Sequence, residues 1–149
     1  MTTAAKRSFG IELWFAPAGE TLVKRAEIKT LNPPKRSRAT IDVTTHDSEE
    51  GAREFITEGI YDTGEVSGSR FYGVSTTDDE AFIDAVESGE LLDIKIVMKS
   101  GAGTEDQEFS GFMTEDGPNG QEIEGVQMAD FSIKVSGPIT NTPTPTPTP

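Results

Sequence analysis

Neighbouring carboxylic acids are the groups in this sequence most able to do chemistry, and they recur along the chain. The acidic runs are Glu49–Glu50, Asp78–Asp79–Glu80, Glu105–Asp106 and Glu115–Asp116. Two carboxyl groups at a set separation can hydrolyse a glycosidic bond. Each run, however, lies in a predicted turn, where solvated acids are ordinary, or at the start of a predicted helix. Nothing else in the sequence marks a cleft, so a glycosidase is only a minor alternative. Calcium binding is not indicated either, because none of the runs has the spacing of an EF-hand loop.

Other catalytic residue types are scarce. The chain has no cysteine and a single histidine, His46, which excludes disulfides, thiolate catalysis and thiolate-bound metals. His46 lies among polar residues in a predicted loop, and Ser48 has no second histidine with which to form a triad. We therefore expect no enzymatic activity, no metal and no cofactor.

The charge of the chain points away from several classes of partner. Thirteen basic and 26 acidic residues give a net charge of −13 over 149 residues. An acidic chain is poorly suited to phosphate backbones or anionic membrane surfaces, and no apolar run approaches the roughly 20 residues of a membrane span. Residues 1–38 carry +5, which leaves −18 for residues 39–149. Such complementary regions favour head-to-tail contacts between copies, which build rings or open stacks.

Most of the chain alternates between apolar and polar residues, which predicts antiparallel strands with one face on a core. The alternating segments are 9–15, 22–29, 38–44, 65–74 and 92–99. In the segment 121–136 the apolar residues change parity between Met128 and Phe131. A change of parity within a strand is typical of a bulge, which we place near Ala129 or Asp130.

One helix is predicted over about residues 77–88. Thr77 and Glu80 form a capping box, with acids in the first turn where the helix dipole favours them. Phe82 and Ala85 then begin an apolar stripe at helical spacing, and Gly89 is the expected end of the helix. The stripe should pack on a sheet.

The sequence divides the chain into one domain with two tails. We predict a flexible N-terminus over residues 1–7 and a β domain over residues 8–139. Residues 140–149 read TNTPTPTPTP. Because proline has no N–H to donate to a sheet, we predict that this Thr–Pro tail is disordered.

A long polar segment, residues 46–61, interrupts the predicted strands. It carries Phe55, Ile56 and Ile60, which a monomer has little reason to expose. We interpret it as a protruding interaction loop. Trp14 is similarly out of place on the polar side of the first strand, and is either an interface anchor or part of a small cluster under the helix.

The order of these segments resembles the major tail tube protein of long-tailed bacteriophages. The resemblance spans residues 8–139 and includes the helix TDDEAFIDAVESGE and the strand LLDIKIVM. Its most specific parts are IDVTTHDSEEGAREFITEGIYDTGEVS and FSGF followed by IEGVQMADFSIKVSG. It implies a mainly β fold of two packed antiparallel sheets, as a sandwich or half-barrel, with a flanking helix and the protruding loop.

The resemblance also implies a function and a set of partners. Subunits would form rings, usually of six, that stack into the tube through which genomic DNA passes without specific binding. The other partners would be the tape-measure protein, the tail-tip initiator and the tail terminator. The protein would occupy the virion tail, after residing in the host cytoplasm before assembly, without inserting into a membrane. A tube subunit of a bacterial secretion or injection machine and a monomeric acidic β-sandwich binding module are the alternatives.

Contacts between subunits are expected from residues of the loop, the basic segment and the acidic turns. Basic residues of the N-terminal third should meet acidic loops of a neighbour, while the wall that faces DNA stays acidic. The predicted contact residues are Trp14, Lys35, Arg36, Arg38, Glu49, Glu50, Arg53, Phe55, Ile56, Glu105 and Asp106.

Overall fold

The computed structural model describes residues 10–25, 28–71, 77–100, 103–118 and 125–145. The predicted flexible N-terminus, residues 1–7, lies outside them. The mainly β, antiparallel fold with a helix is confirmed. The elements are β1 (Glu12–Pro17), β2 (Val23–Arg25), β3 (Ile28–Asn32), β4 (Thr40–Asp42), a 3-10 turn (Glu49–Gly51), β5 (Phe55–Thr57), β6 (Glu65–Phe71), α1 (Thr77–Ser88), β7 (Leu92–Ser100), β8 (Gly103–Pro118) and β9 (Met128–Pro145).

Seven of the strands form one curled antiparallel sheet in the order β2-β1-β7-β8-β9-β6-β3. Its edge strands, β2 and β3, are separated in the chain by residues 26 and 27 alone. Because successive Cα atoms are about 3.8 Å apart, the two edges approach within about 11 Å at this point. The sheet therefore curls until its edges nearly meet. The second sheet contains only β4 and β5.

The core fills the inside of the curled sheet, and α1 covers it. The alternation in β1 and β7 is confirmed, since Leu13, Phe15, Ile94 and Ile96 are buried. Phe82 of α1 is fully buried, and its ring centroid lies 5.0 Å from that of Phe15 and 5.1 Å from that of Phe131. The helix occupies the predicted residues and ends at Gly89, whose φ of +66° suits glycine.

The bulge predicted near Ala129 or Asp130 is wrong. The register between β6 and β9 runs unbroken from Met128 to Lys134. The apparent change of parity arises because Val126 precedes the strand and is exposed. The irregularities lie instead between β8 and β9, at Thr114 and around Gly137–Ile139. They bend the two longest strands and so help the sheet to curl.

The bulge at Thr114 turns a carboxylate into the core. Beyond it Asp116 lies opposite the buried Phe131. There Asp116 and Asp79 of α1 each bind Arg70 of β6, with Nη2 3.0 Å from Oδ1 of Asp116 and 3.1 Å from Oδ1 of Asp79. These three side chains are at most 6% exposed. Burial raises the pKa of Asp116, against the lowering effect of Arg70.

Both buried guanidinium groups stack on core rings. The Cζ atom of Arg70 lies 4.4 Å from the ring centroid of Phe82, and that of Arg25 lies 4.3 Å from the ring centroid of Phe15. Arg25 also donates to the Phe15 carbonyl at 2.9 Å and approaches Asp78 at 3.6 Å. The first turn of α1 is thus attached to the sheet by two cations, each of which also contacts an aromatic face.

The tail prediction fails over residues 140–145, which continue β9 and pair with residues 103–108 of β8. Disorder was expected because prolines cannot donate. The prolines fall on alternate residues, however, and the intervening Thr142 and Thr144, which retain their N–H groups, lie opposite Asp106 and Thr104 of β8. Residues 146–149 lie outside the described part of the chain.

The segment 38–44 also departs from expectation. The alternation of Ala39, Ile41 and Val43 predicts a strand packed on the core. All three residues are exposed, and the strand, β4, pairs only with β5. Alternation with a period of two predicts a strand but not the strand with which it pairs. Here the alternating segment belongs to a separate hairpin.

Replacing Arg70 by methionine should lower the free energy of unfolding by about 3–5 kcal/mol near neutral pH, because two buried carboxylates lose this counter-ion. Removing the group that lowers the pKa of Asp116 raises that pKa further. Since a raised pKa favours the folded state at low pH, the loss should shrink as pH falls toward about 5. Urea unfolding at both pH values measures it.

The matched control is Lys134→Met, which removes an exposed ion pair with Asp62. It should change the free energy of unfolding by no more than about 1 kcal/mol. Equal losses in the two variants would contradict a structural role for Arg70.

Candidate assembly surface

The segment from Ser37 to Asp62 forms a hairpin that exposes apolar side chains. An isolated bridge between Ser37 and Asp62 closes its base, and β4 pairs with β5 further along. Ile41 lies directly opposite Ile56, so they share one face of the ribbon. The exposed fractions of Ile41 and Ile56 are 45% and 53%, and that of Phe55, on the opposite face, is 54%. Exposed apolar clusters of this kind mark contact surfaces.

Polar contacts within the hairpin hold the ribbon in shape. Thr44 and Glu54 exchange bonds, since the Thr44 hydroxyl accepts from the Glu54 N–H at 2.7 Å and donates to its carbonyl at 3.3 Å. The Ser48 hydroxyl donates to the Glu54 carboxylate at 3.0 Å. Hydrogen bonds from Thr44 lower the pKa of Asp42. The predicted protruding loop is thus an ordered ribbon rather than an irregular segment.

Besides Arg38 near its base, five predicted contact residues belong to this hairpin. Glu49 and Glu50 form the 3-10 turn beyond β4, and both are exposed. Arg53 follows them and approaches Asp42 at 3.7 Å across the ribbon. Phe55 and Ile56 follow in β5 and lie on opposite faces of the ribbon.

The basic residues just before the hairpin and at its base have different surroundings. Lys35 is exposed, and Arg38 lies with its Cζ atom 5.5 Å from the ring centroid of Tyr61. Arg36 donates to the carbonyl of Ile139 at 2.9 Å and to Oδ1 of Asn141 at 2.6 Å. Arg36 therefore already has acceptors within its own subunit.

Glu105 is linked to this arginine through Asn141. The amide nitrogen of Asn141 donates to Oε1 of Glu105, so a hydrogen-bonded chain joins Arg36 to Glu105 inside the subunit. The sequence suggested that these opposite charges meet between subunits. Asp106, the next residue, is half-buried and lies on the other face of β8.

Trp14 lies on the outer face of the curled sheet rather than under the helix. Its Nε1 donates to Oε1 of Glu12 at 3.3 Å, and Nζ of Lys95 lies 4.6 Å from its ring centroid. Glu12 also approaches Lys99 at 2.8 Å and Lys24 at 3.6 Å, and the hydrogen bond from Lys99 lowers the pKa of Glu12. The predicted cluster under the helix is therefore wrong.

This outer face is a second candidate surface that the sequence prediction left undefined. Strand alternation and the buried face together assign it four basic and seven acidic residues, so it is net acidic. Lys95, on β7, lies beside Glu108, on β8. The register between strands brings these residues together. The alternation within a single strand does not contain that information. The charged residues of this face are Lys24, Lys95, Lys99, Lys134, Glu12, Glu65, Asp93, Asp106, Glu108, Glu115 and Asp130.

Neither a membrane-spanning helix nor a metal-binding cluster occurs among the described residues. Within them, α1 is too short and too polar to cross a membrane. The same residues contain no group of three or more acidic or histidine side chains arranged to hold a metal ion.

Phe55→Ala should change the free energy of unfolding by less than about 1 kcal/mol, since the ring is half exposed and packs outside the core. Phe82→Ala, the matched control, removes a fully buried ring and should cost about 3–5 kcal/mol. Thermal or urea unfolding distinguishes them. A large loss in Phe55→Ala would assign this ring to the core.

Comparison with solved structures shows the same fold in several tail assemblies. A chain from the tail of an empty gene transfer agent particle, refined with C6 symmetry, matches with a TM-score of 0.72 and 16% identity, covering 93% of this chain and 99% of that one. A chain of the anti-feeding prophage baseplate matches with a TM-score of 0.75 and 10% identity, covering 95% and 97%. The SPP1 tail tube matches with a TM-score of 0.60 and 11% identity, covering 90% and 77%.

Sequence comparison identifies the family. No curated protein sequence matches the chain significantly. The family model described as phage tail tube protein matches residues 28–141, which include the hairpin, the helix and the paired part of the Thr–Pro segment up to Asn141. This chain therefore belongs to the phage tail tube protein family, whose members are structural proteins of the virion tail.

Proposed function

We propose that this chain forms hexameric rings that stack into a tail tube, the conduit for DNA delivery. The observation that carries the proposal is the hairpin, which holds Ile41, Phe55 and Ile56 in an ordered ribbon outside the core. Membership of the tail tube family and the C6 symmetry of the similar gene transfer agent tail support it.

The hairpin contributes to assembly by burying apolar area against a neighbouring subunit. Full burial of one Phe or Ile side chain contributes about 1.5–3 kcal/mol. Because Phe55 and Ile56 are already half covered, each would add roughly half of that on assembly. The ribbon is ordered by its own hydrogen bonds, so little conformational entropy is lost when it docks. Six copies in a ring multiply the gain.

The outer face of the sheet is our candidate for the wall of the lumen. It is net acidic, and its basic residues Lys24 and Lys99 both lie close to Glu12. Phosphate binding requires basic groups that displace counterions, so an acidic wall lets DNA slide without binding. This arrangement fits a conduit better than a nucleic-acid binding surface.

The remaining partners follow from this role. The tube would assemble from the tail-tip initiator, around the tape-measure protein, and end at the tail terminator. Subunits would reside in the host cytoplasm before assembly. A tube subunit of an injection machine is the alternative, and the anti-feeding prophage baseplate chain has the same fold.

Electron microscopy and sedimentation test the proposal. Wild type should form hollow tubes, alone or on addition of a tail-tip complex. Phe55→Ser/Ile56→Ser should abolish tubes yet remain folded, because both residues are exposed. The control is Ile83→Ser, an exposed apolar position on α1 away from the hairpin. A wild-type protein that stays monomeric with the tail-tip complex present would refute the proposal.

The charge of Lys35, just before the hairpin, gives a second prediction about assembly. Lys35→Glu should weaken assembly, and Glu49→Lys should partly restore it if these residues meet between subunits. One exposed pair contributes only about 0–1 kcal/mol, so the effect depends on repetition around the ring. Salt should reduce it, since screening at about 0.15 M acts beyond about 8 Å. Critical concentrations for assembly, measured at two salt concentrations, test this. An effect independent of salt would exclude charge pairing.

A further inference from the structure

The C-terminal part of β9 has a partner on one side only. Residues 140–145 pair with residues 103–108 of β8. On the opposite side of β9, β6 pairs only with residues 128–134. Among the described strands, none lies beside residues 140–145 on that side. The sheet therefore has an internal open edge where the Thr–Pro segment runs.

The prolines define which backbone groups face that open edge. In an antiparallel pair, successive residues direct their N–H and C=O groups to alternate sides. Pro143 lies opposite Glu105 but has no N–H to donate. It therefore occupies a non-hydrogen-bonded position, and Thr142 and Thr144 bond to β8. The backbone of Asn141, Pro143 and Pro145 then faces the open edge.

Arg36 supports this assignment independently. The carbonyl of Ile139, two residues before Asn141 and at the end of the irregularity around Gly137–Ile139, is bonded to a group outside β8. The guanidinium of Arg36, which comes from the segment before the hairpin, reaches that carbonyl at 2.9 Å. The start of the open edge is thus covered by an arginine of the same subunit.

The result is an edge that cannot support a regular ladder. Pro143 and Pro145 supply no donors, and the Ile139 carbonyl is already bonded to Arg36. Only Asn141 keeps a donor among the three outward-facing residues from 141 to 145. An ordinary open edge offers a complete row of donors and acceptors and invites pairing with another chain. By contrast, the side of β9 that faces β8 pairs with it throughout residues 140–145.

We propose that Thr140–Pro145 is a one-sided strand that covers β8 and blocks edge-to-edge pairing with a second copy of this chain. The period of two in the Thr–Pro repeat matches the period of the strand, so all of its prolines within β9 beyond residue 140 fall on the open side. The proposal concerns pairing of monomers and does not depend on the tube.

Hydrogen exchange measured by NMR tests the pairing. In the wild-type monomer the amides of Thr142 and Thr144 should exchange at least about tenfold more slowly than in a free peptide, because they bond to β8. A matched variant, Thr142→Pro/Pro143→Thr/Thr144→Pro/Pro145→Thr, has the same composition with the prolines turned toward β8. The amides of Thr104 and Asp106 should lose protection in it. Unprotected Thr142 and Thr144 in wild type, or unchanged protection in the variant, would overturn the proposal.

Aggregation tests the block itself. Pro143→Thr/Pro145→Thr restores donors to the open edge and leaves those facing β8 in place. It should associate at several-fold lower concentration than the parent, measured by light scattering in the Phe55→Ser/Ile56→Ser background. That background removes Phe55 and Ile56 from the proposed hairpin contacts, and the difference from the parent in the same background reports on the edge. Association no stronger than that of the parent would overturn the block.

Discussion

The attachment of α1 to the sheet depends on one buried cation. Arg70 lies between the face of Phe82 and the carboxylates of Asp79 and Asp116. Burial raises the pKa of Asp116, and the nearby charge of Asp79 adds to the shift. Two acids on one guanidinium thus leave an excess negative charge inside the protein, which is unfavourable. Removing Arg70 would leave two buried carboxylates without this counter-ion, which would lower the free energy of unfolding. The arrangement therefore fixes where the helix sits and which way the end of β8 faces.

A firmly closed core lets the rest of the molecule be specialised. The curled sheet and α1 bury the large apolar residues, including Phe15, Phe82 and Phe131. The hairpin adds nothing to this core, and its Thr44–Glu54 exchange keeps it ordered in water. The residues that form the core and those of the proposed contact surface are consequently different. A substitution in the hairpin can change one without the other.

Local features could be predicted from the sequence, and remote ones could not. The alternation of β1 and β7 and the capped helix over 77–88 depend on neighbouring residues, and the sequence predicts them correctly. The Arg70 cluster joins three distant segments through the bulge at Thr114, which no local pattern marks. The exposure of Ile41 and Phe55 could be predicted only in part. Their exposure follows from the pairing of β4 with β5 alone, whereas the alternation around Ile41 predicts a strand on the core.

The Thr–Pro segment shows why a strand must be judged one side at a time. Counted as a whole, a chain with proline at every second residue lacks half of its donors and should not join a sheet. Counted by side, Thr142 and Thr144 keep all the donors that face β8, while the losses at Pro143 and Pro145 fall on the open edge. The same residues therefore favour one pairing and exclude another. On our proposal that the ribbon containing Ile41 and Ile56 contacts other copies, an edge that rejects strands would confine those contacts to surfaces with a defined geometry.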